Sequence, residues 1–303
     1  MIVRLAITAV ILALLSRGID FGASMRAIAA IDVRYLALVL ALVAMDRCVM
    51  IWRWILLLRS SGVAISSAAA ARLFLVSSFV GSFLPAGVGA DAARAYGLSR
   101  EAVSGSEALA SVAVDRVLGV MSIVVMALVG VIAWRSASDQ SPLLYAIGAL
   151  TIGCVAFFWS NHWLRWVIPD RHRDHKVARR VLRLSDALGR YRDRPQVLAH
   201  VMAWSLLVQV LRITQAYYLG AGLGMTVPYA YYLLFMPIGL LMLLLPISIS
   251  GFGLPQGVIV WLLRPVGVPV AQAFALTTLI VLTGLAGNIP GLWLWLRQRR
   301  EIL

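Results

Sequence analysis

The chain has 303 residues, of which 61% are hydrophobic and only 13% are charged, and its mean hydropathy is +0.89. These values exclude an ordinary soluble domain and predict an all-α polytopic membrane protein, with residues 1–303 forming one integral membrane domain. The net charge of +14 would also suit a nucleic-acid-binding protein. Arginine-rich cytoplasmic loops give a membrane protein the same excess, so we expect no nucleic-acid partner.

Two apolar runs open the chain. Residues 2–15, with Arg4 near their start, could form a signal peptide, but Leu14 and Ser16 make a poor cleavage site, so we predict a retained first span. Residues 33–58 are long enough to form a second, tilted span. The two cysteines, Cys48 and Cys154, lie inside apolar runs, where a small hydrophobic role is expected and a disulfide framework is not.

Residues 73–98 predict a broken helix. About twelve apolar residues precede the break at residues 85–89, too few to cross a bilayer core that needs roughly 20 in a helix. Pro85, Gly87 and Gly89 lie in this break, where the two glycines permit backbone turns that a side chain would block. Non-helical backbone at membrane depth must be covered by protein or line a cavity. We therefore predict a re-entrant hairpin.

The middle of the chain combines two spans with one basic loop. Residues 107–134 and 142–159 predict the third and fourth spans. Residues 162–195 then carry ten Lys or Arg against four Asp, which predicts a cytoplasmic loop joining two halves of the protein. An apolar stripe within this loop fits a helix lying on anionic lipid headgroups, and a solvated basic loop is the alternative.

The second half repeats the plan of the first. Residues 197–219 predict a fifth span with Gln209, Arg212 and Gln215 on roughly one side. Residues 229–263 predict a second hairpin, broken at residues 246–253 and resuming as a short helix at residues 256–263. Residues 270–296 predict a sixth span, interrupted at residues 288–291. Two interrupted segments at corresponding places in two halves indicate a transporter binding site.

Positive charge supports this count. Six spans and two hairpins that enter from opposite faces place the basic loop, the N-terminus and the arginine-rich C-terminus all in the cytoplasm. If residues 229–246 were a full span, the C-terminal tail would lie outside. Opposed hairpins are what an inverted repeat would produce.

Ionisable residues inside the predicted spans are candidates for function. Each costs about 2.5 to 3.5 kcal/mol at a helix centre on insertion scales, so such groups usually face an interior or a wet cavity. These residues are Asp46, Arg47, Arg53, Asp115, Arg116 and Arg212. Buried pairs that hold the bundle together, or arginines that reach the interface, are the structural alternative. Arg53 and Asp115 lie nearer span ends than Arg212 and are weaker candidates.

The helix that resumes after the first break offers a binding site for an anion. We expect it to start near Asp91 as N-cap, with Arg94 one turn on, within pairing distance. A helix N-terminus inside the membrane presents free N–H groups and a positive dipole end. Ser248, Ser250 and Gln256 suggest the same arrangement at the second break. Alternatively, Asp91 simply caps the helix and Arg94 reaches lipid phosphate.

Three segments resemble a known family. FLPAGVGADAARAYGL, SVAVDRVLGV and LPISISGFGLPQG are similar to the transmembrane domain of bacterial lysylphosphatidylglycerol synthases and related stand-alone flippase-like proteins. The resemblance implies a multi-pass inner-membrane protein handling polar lipids. The soluble aminoacyl-transferring domain is absent, so lipid aminoacylation is not implied. The family's usual Glu-Arg is Asp115-Arg116 here, and Gln256 replaces a usual acid, which weakens the case for a proton-coupled role there.

The sequence therefore predicts a lipid flippase that moves a polar or anionic lipid, whether a phospholipid, a polyprenyl-linked lipid or a hopanoid lipid. The alternatives are a membrane transferase using a polyprenyl-phosphate donor and a scaffold partner of a lipid-modifying enzyme. We expect no catalytic residues, metal or cofactor. The candidate substrate-binding residues are Arg47, Asp91, Arg94, Asp115, Arg116, Gln209, Arg212, Gln215, Ser248, Ser250 and Gln256, with hairpin breaks at Pro85, Gly87, Gly89, Pro246, Gly251 and Gly253.

Overall fold

A computed structural model of the chain describes residues 20–84, 89–101, 104–134, 193–242 and 253–302, together with positions 152, 182, 186, 189 and 191. All regular structure in these residues is helical, which confirms the predicted all-α class. The helices in chain order are α1 (Phe21–Ala29), α2 (Val33–Ser60), α3 (Ser67–Gly81), α4 (Gly89–Ser99), α5 (Gly105–Ala133), α6 (Pro195–Gly222), α7 (Tyr229–Met242), α8 (Leu254–Leu263), α9 (Val270–Ala286) and α10 (Ile289–Ile302).

Four helical segments of the described chain are long and apolar enough to cross a membrane: α2, α5, α6, and α9 continued into α10 as far as Arg297. They coincide with the predicted second, third, fifth and sixth spans. The predicted first span at residues 2–15, the fourth at 142–159 and most of the basic loop at 162–195 lie outside the described residues. The complete count of six spans therefore stays a prediction.

Local signals set where the long helices begin. The Asp32 carboxylate accepts a hydrogen bond from the Arg34 backbone N–H at 2.8 Å and caps α2. At α5, Ser104 Oγ accepts from the Glu107 backbone N–H at 3.3 Å and donates to the Glu107 carboxylate at 3.0 Å. Both caps satisfy backbone donors that the first turn of a helix leaves without partners.

Two pairs of short helices occupy the predicted hairpin positions. The helices α3 and α4 pack against each other, as do α7 and α8, while residues 85–88 and 243–252 between them lie outside the described chain. Gly89 is needed for close packing, because a Cβ there would collide with Leu84. Its φ is not positive, so the predicted backbone reason is wrong for Gly89; Gly253, with φ +110°, does need glycine.

Both short pairs pack against the long helices. Helix α6 runs along α2, α7 packs on α5, and α3 packs on both α4 and α10. The largest apolar cluster joins α6, α7 and α9 through residues such as Ile213, Phe235 and Leu276. A second cluster joins α2 to α3 and α4 through Trp54, Phe74 and Leu98. Helices α2 to α9 converge on the cavity described next.

Candidate functional site

A cavity of about 420 Å³ lies where helices α2 to α9 meet. The first short-helix pair contributes Ser78 and Ala90 to its wall, and the second contributes Gly239 and Gln256. Both of the broken segments predicted from sequence therefore line one internal space. This volume lies within the range of small-molecule sites.

Five charged residues on three helices form what we call the Asp115 cluster. Asp115 on α5 pairs with Arg53 of α2 at 2.7 Å through Oδ1 and with Arg94 of α4 at 3.1 Å through Oδ2. The second member acid, Asp91, pairs with Arg94 at 2.7 Å and with Arg116 at 3.6 Å. Arg94 thus bridges both aspartates and ties α4 to α5.

The centre of the Asp115 cluster is enclosed. The side chains of Arg53, Arg94 and Asp115 are only 5%, 7% and 3% exposed. The guanidinium carbon of Arg94 lies 5.2 Å from the ring centroid of Trp54 and 4.9 Å from that of Phe74. Contacts of this kind stabilise a desolvated guanidinium by about 2 kcal/mol. The apolar wall and the two carboxylates therefore hold Arg94 in one position.

A second group, the Asp46 cluster, consists of Asp46, Arg47 and Arg212. Asp46 pairs with Arg47 and with Arg212, each at 3.3 Å. Arg47 also donates to the carbonyl of Gly284 on α9 at 3.1 Å, and Arg212 donates to the Met50 sulfur at 3.1 Å. The side chains of Arg47 and Arg212 are 17% and 25% exposed. These two side chains line the cavity and are more exposed than those of Arg53 and Arg94. Arg116, at the edge of the Asp115 cluster, also lines the cavity and is 41% exposed.

The cavity carries an excess of positive charge. Five arginines and three aspartates line it or contact those that do, leaving two positive charges uncompensated. No other ionisable side chain of the described residues lines the cavity. Each of the six carboxylate oxygens contacts an arginine. Because charge interactions are strong in a low-dielectric interior, the arrangement is suited to an anion.

Most of the predicted site residues come together at this cavity. Those that line it are Arg47, Asp91, Arg94, Asp115, Arg116, Gln209, Arg212 and Gln256. Gln215 does not line it. Ser248, Ser250, Pro85, Gly87, Pro246 and Gly251 lie outside the described residues, so their predicted roles stay predictions. Gly89 begins α4, and Gly253 precedes α8 as its N-cap.

One of the local expectations needs correction. Asp91 is not an N-cap, because α4 begins at Gly89 and Asp91 lies in its first turn, where it pairs with two arginines. The expected pairing of Asp91 with Arg94 is confirmed. Arg53 and Asp115, the weaker candidates because they lie nearer span ends, form the most enclosed ion pair of the described chain. Their rank as binding residues stays a prediction.

Sequence reasoning missed several polar contributors. Arg53 donates to Ser205 of α6 at 2.9 Å, and Asn288 donates to Ser82 at 2.8 Å. Asn288 lies in the interruption predicted between residues 288 and 291, and this interruption was the available signal. In the described part of the chain, no group of three or more His, Cys, Asp or Glu side chains is placed to hold a metal ion.

Comparison with known proteins identifies the family. Residues 1–291 match the family model described as the lysylphosphatidylglycerol synthase TM region. No curated protein matches the sequence. The family match and the four long apolar helices agree on a multi-pass membrane protein related to lipid handling.

Proposed function

Because the chain belongs to the family of lysylphosphatidylglycerol synthase TM regions, we propose that it is an inner-membrane flippase that moves an anionic lipid between leaflets without altering it covalently. The observation that carries the proposal is the excess of two positive charges in one cavity between two pairs of short helices. A phosphate headgroup would neutralise part of this excess, while the acyl chains stay in hydrocarbon.

The cost of burial supports a ligand at the Asp46 cluster. Placing charges inside a membrane protein costs free energy unless they are paired. An excess of cations therefore indicates that an anionic ligand binds there. The side chains of Arg47 and Arg212 are more exposed than those of Arg53 and Arg94. Their planar guanidinium groups match the geometry of phosphate oxygens. We assign the first contact with phosphate to these two residues. Arg94, predicted from sequence to bind substrate, would mainly stabilise the cavity wall through its ion pairs with Asp91 and Asp115.

The two short-helix pairs would provide the route. We propose that α3 with α4 and α7 with α8 are re-entrant hairpins entering from opposite faces. The first turns of α4 and α8 contribute Asp91 and Gln256 to the cavity, so both helix N-termini lie beside it. Their positive dipole ends would add to the attraction for an anion. A headgroup could then cross through the polar interior.

The direct test is a transport assay. Protein reconstituted in vesicles should speed the loss of fluorescence of labelled phosphatidylglycerol to an impermeant quencher, with labelled phosphatidylcholine responding less. Mass spectrometry should recover the lipid unchanged. Equal rates with and without protein would contradict the proposal, and a modified lipid formed from an added polyprenyl-phosphate donor would favour the transferase alternative. Among the described residues, no contact specifically supports the transferase or the scaffold alternative.

Orientation in the membrane has its own test. We propose that both termini and the basic loop at residues 162–195 are cytoplasmic, with the loop contacting anionic headgroups. Ser185→Cys and Gln298→Cys, in a variant lacking Cys48 and Cys154, should both resist an impermeant thiol reagent in intact cells. Labelling of Gln298→Cys alone would mean that the second short pair is a full span.

A further inference from the structure

Helix α9 and the start of α10 form one apolar span that is interrupted at residues 287–288. In this interruption, the Asn288 N–H donates to the carbonyl of Leu285 at 2.9 Å, and the Gly291 N–H donates to that of Asn288 at 3.0 Å. Both bonds reach back three residues instead of the four of an α-helix, and Pro290 has no N–H to donate. Interruptions of this kind bend a helix and often mark a hinge.

Arg47 of α2 lies against this interruption. In a regular helix the Gly284 carbonyl would accept a hydrogen bond from the Asn288 N–H. It accepts instead from Arg47 Nη2 at 3.1 Å. Gly287 packs against the same side chain, since a Cβ there would lie 3.2 Å from Arg47 Nε. Arg47 therefore supplies the donor that the helix lacks and stabilises the bend in its present form.

Burial limits which edge of the Arg47 guanidinium a ligand can reach. Its Nε atom is buried. On the other edge, Nη1 donates to Asp46 at 3.3 Å and Nη2 donates to the Gly284 carbonyl. A phosphate that binds this edge in bidentate geometry competes for both nitrogens. Because a charged oxygen is a stronger acceptor than a neutral carbonyl, the bond to Gly284 is the one that phosphate displaces.

The interruption is also attached to the first short-helix pair. Asn288 donates to Ser82 Oγ, directly after α3, at 2.8 Å. The Gly291 backbone packs so closely on α3 that a Cβ there would collide with the Leu75 carbonyl. One hydrogen bond and one backbone contact thus join the start of α10 to α3. A change in the bend therefore displaces α3 together with α10.

We propose that phosphate binding to Arg47 takes its guanidinium away from the Gly284 carbonyl, releases the hinge between α9 and α10, and lets α10 and α3 move together. Occupancy of the cavity thereby starts a movement of the first short-helix pair. This inference rests on the anionic-lipid function proposed above and adds the step that couples binding to movement.

Stiffening the hinge should slow transport without weakening the fold. A Cβ on Gly284 would point into open space, so Gly284→Ala fits and restricts the backbone. Transport of phosphatidylglycerol should slow by about three- to fivefold, at an unchanged or higher melting temperature. Gly119→Ala is the matched control, because it places the same methyl group on the cavity wall in the unbroken helix α5. This control should transport at the wild-type rate.

Three pairs of spin labels measure the movement directly. The first pair spans the interruption, the second reports α3 against α5, and the third stays within α5 as a control. Adding phosphatidylglycerol to protein in phosphatidylcholine nanodiscs should shift the first two distances by about 2 Å or more and leave the third unchanged. In a variant lacking both native cysteines, the labels replace exposed side chains, in that order Leu282→Cys with Leu296→Cys, Arg72→Cys with Ile132→Cys, and Leu109→Cys with Ile132→Cys.

Arg47→Ala separates release of the hinge from binding of lipid. Without phosphatidylglycerol it should already show the shifted first distance, because the Gly284 carbonyl has lost its donor. An unshifted distance in Arg47→Ala, unchanged distances in wild-type protein that transports phosphatidylglycerol, or a wild-type transport rate in Gly284→Ala would each overturn the hinge and leave the anionic-lipid function standing. Wild-type protein that neither binds nor transports phosphatidylglycerol would overturn both.

Discussion

The Asp115 cluster and the Asp46 cluster use the same two residue types and differ in enclosure. Around Asp115, the two paired arginines Arg53 and Arg94 are 5% and 7% exposed. Around Asp46, the arginines Arg47 and Arg212 are 17% and 25% exposed. Both aspartates pair with two arginines each. Chemical composition therefore does not distinguish the two clusters, and we propose that exposure of the arginines does: the enclosed ones hold the fold and the exposed ones bind.

The comparison indicates different roles for two positions on one face of α2. Asp46 and Arg53 are seven residues apart on α2, or about 10 Å along its axis. At one end Arg53 pairs with Asp115 of α5, and Arg94 of α4 lies over the Trp54 ring; at the other end Asp46 pairs with Arg212 of α6, and Arg47 donates to the carbonyl of Gly284. We therefore expect substitutions of Arg53, Arg94 and Asp115 to change stability and substitutions in the Asp46 cluster to change ligand binding.

The largest effect is expected from Arg94→Ala. It removes the bridge between Asp91 and Asp115 and leaves a gap beside two aromatic rings. Breaking a buried ion pair by deleting one partner costs about 3 to 5 kcal/mol, so thermal unfolding in detergent should occur at a clearly lower temperature. Arg94→Lys should rescue little, since an ammonium cannot span both carboxylates as a guanidinium does. A variant with wild-type stability that fails only in transport would contradict this role.

Arg212→Ala should produce an effect of intermediate size, on binding. Hydrogen bonds to charged groups contribute about 1.5 to 3 kcal/mol, so affinity for phosphatidylglycerol should fall by roughly ten- to a hundredfold. Asp46 keeps Arg47 as a partner, so the protein should remain folded. Arg72→Ala is the matched control, because Arg72 is 43% exposed on α3 and away from the cavity. A transport loss explained entirely by lower membrane abundance would assign Arg212 to the structural group.

The smallest effect, and one of opposite sign, is expected from Asp46→Asn. This change keeps the size of the side chain and removes one negative charge, so the excess of positive charge in the cavity rises by one. Phosphatidylglycerol should bind about three- to tenfold more tightly, a modest Coulomb gain at the effective dielectric of a protein. Equilibrium binding beside transport should show tighter retention with slower release. Weaker binding would mean that Asp46 positions Arg47 and Arg212 more than it neutralises them.

Much of the architecture could be predicted because it depends on local sequence patterns. The length of the apolar runs predicted the long helices α2, α5 and α6. Short apolar runs that end in glycine and proline predicted the interrupted segments. Three-residue spacing gave the pairing of Asp91 with Arg94. Charge inside apolar runs pointed to the residues that line the cavity, since burying a charge requires partners or a ligand.

The division between the two clusters could not be predicted in this way. It depends on which helices lie beside each end of α2, and Arg53 is joined to Arg94 of α4 only through Asp115 of α5. The partners of Asp115 lie 62 and 21 residues away along the chain, on helices whose relative positions no single-sequence pattern specifies. Asn288 was overlooked for the same reason, because its bond to Ser82 joins residues 206 positions apart.

The central claim is that the accessible arginines of the Asp46 cluster bind an anionic headgroup while the enclosed arginines hold the fold. The most direct test is the affinity of Arg212→Ala for phosphatidylglycerol in nanodiscs, measured with the melting temperature of the same sample. We predict an affinity loss of at least about tenfold with a melting temperature close to that of the wild type. Unchanged affinity in a folded Arg212→Ala protein would contradict the claim.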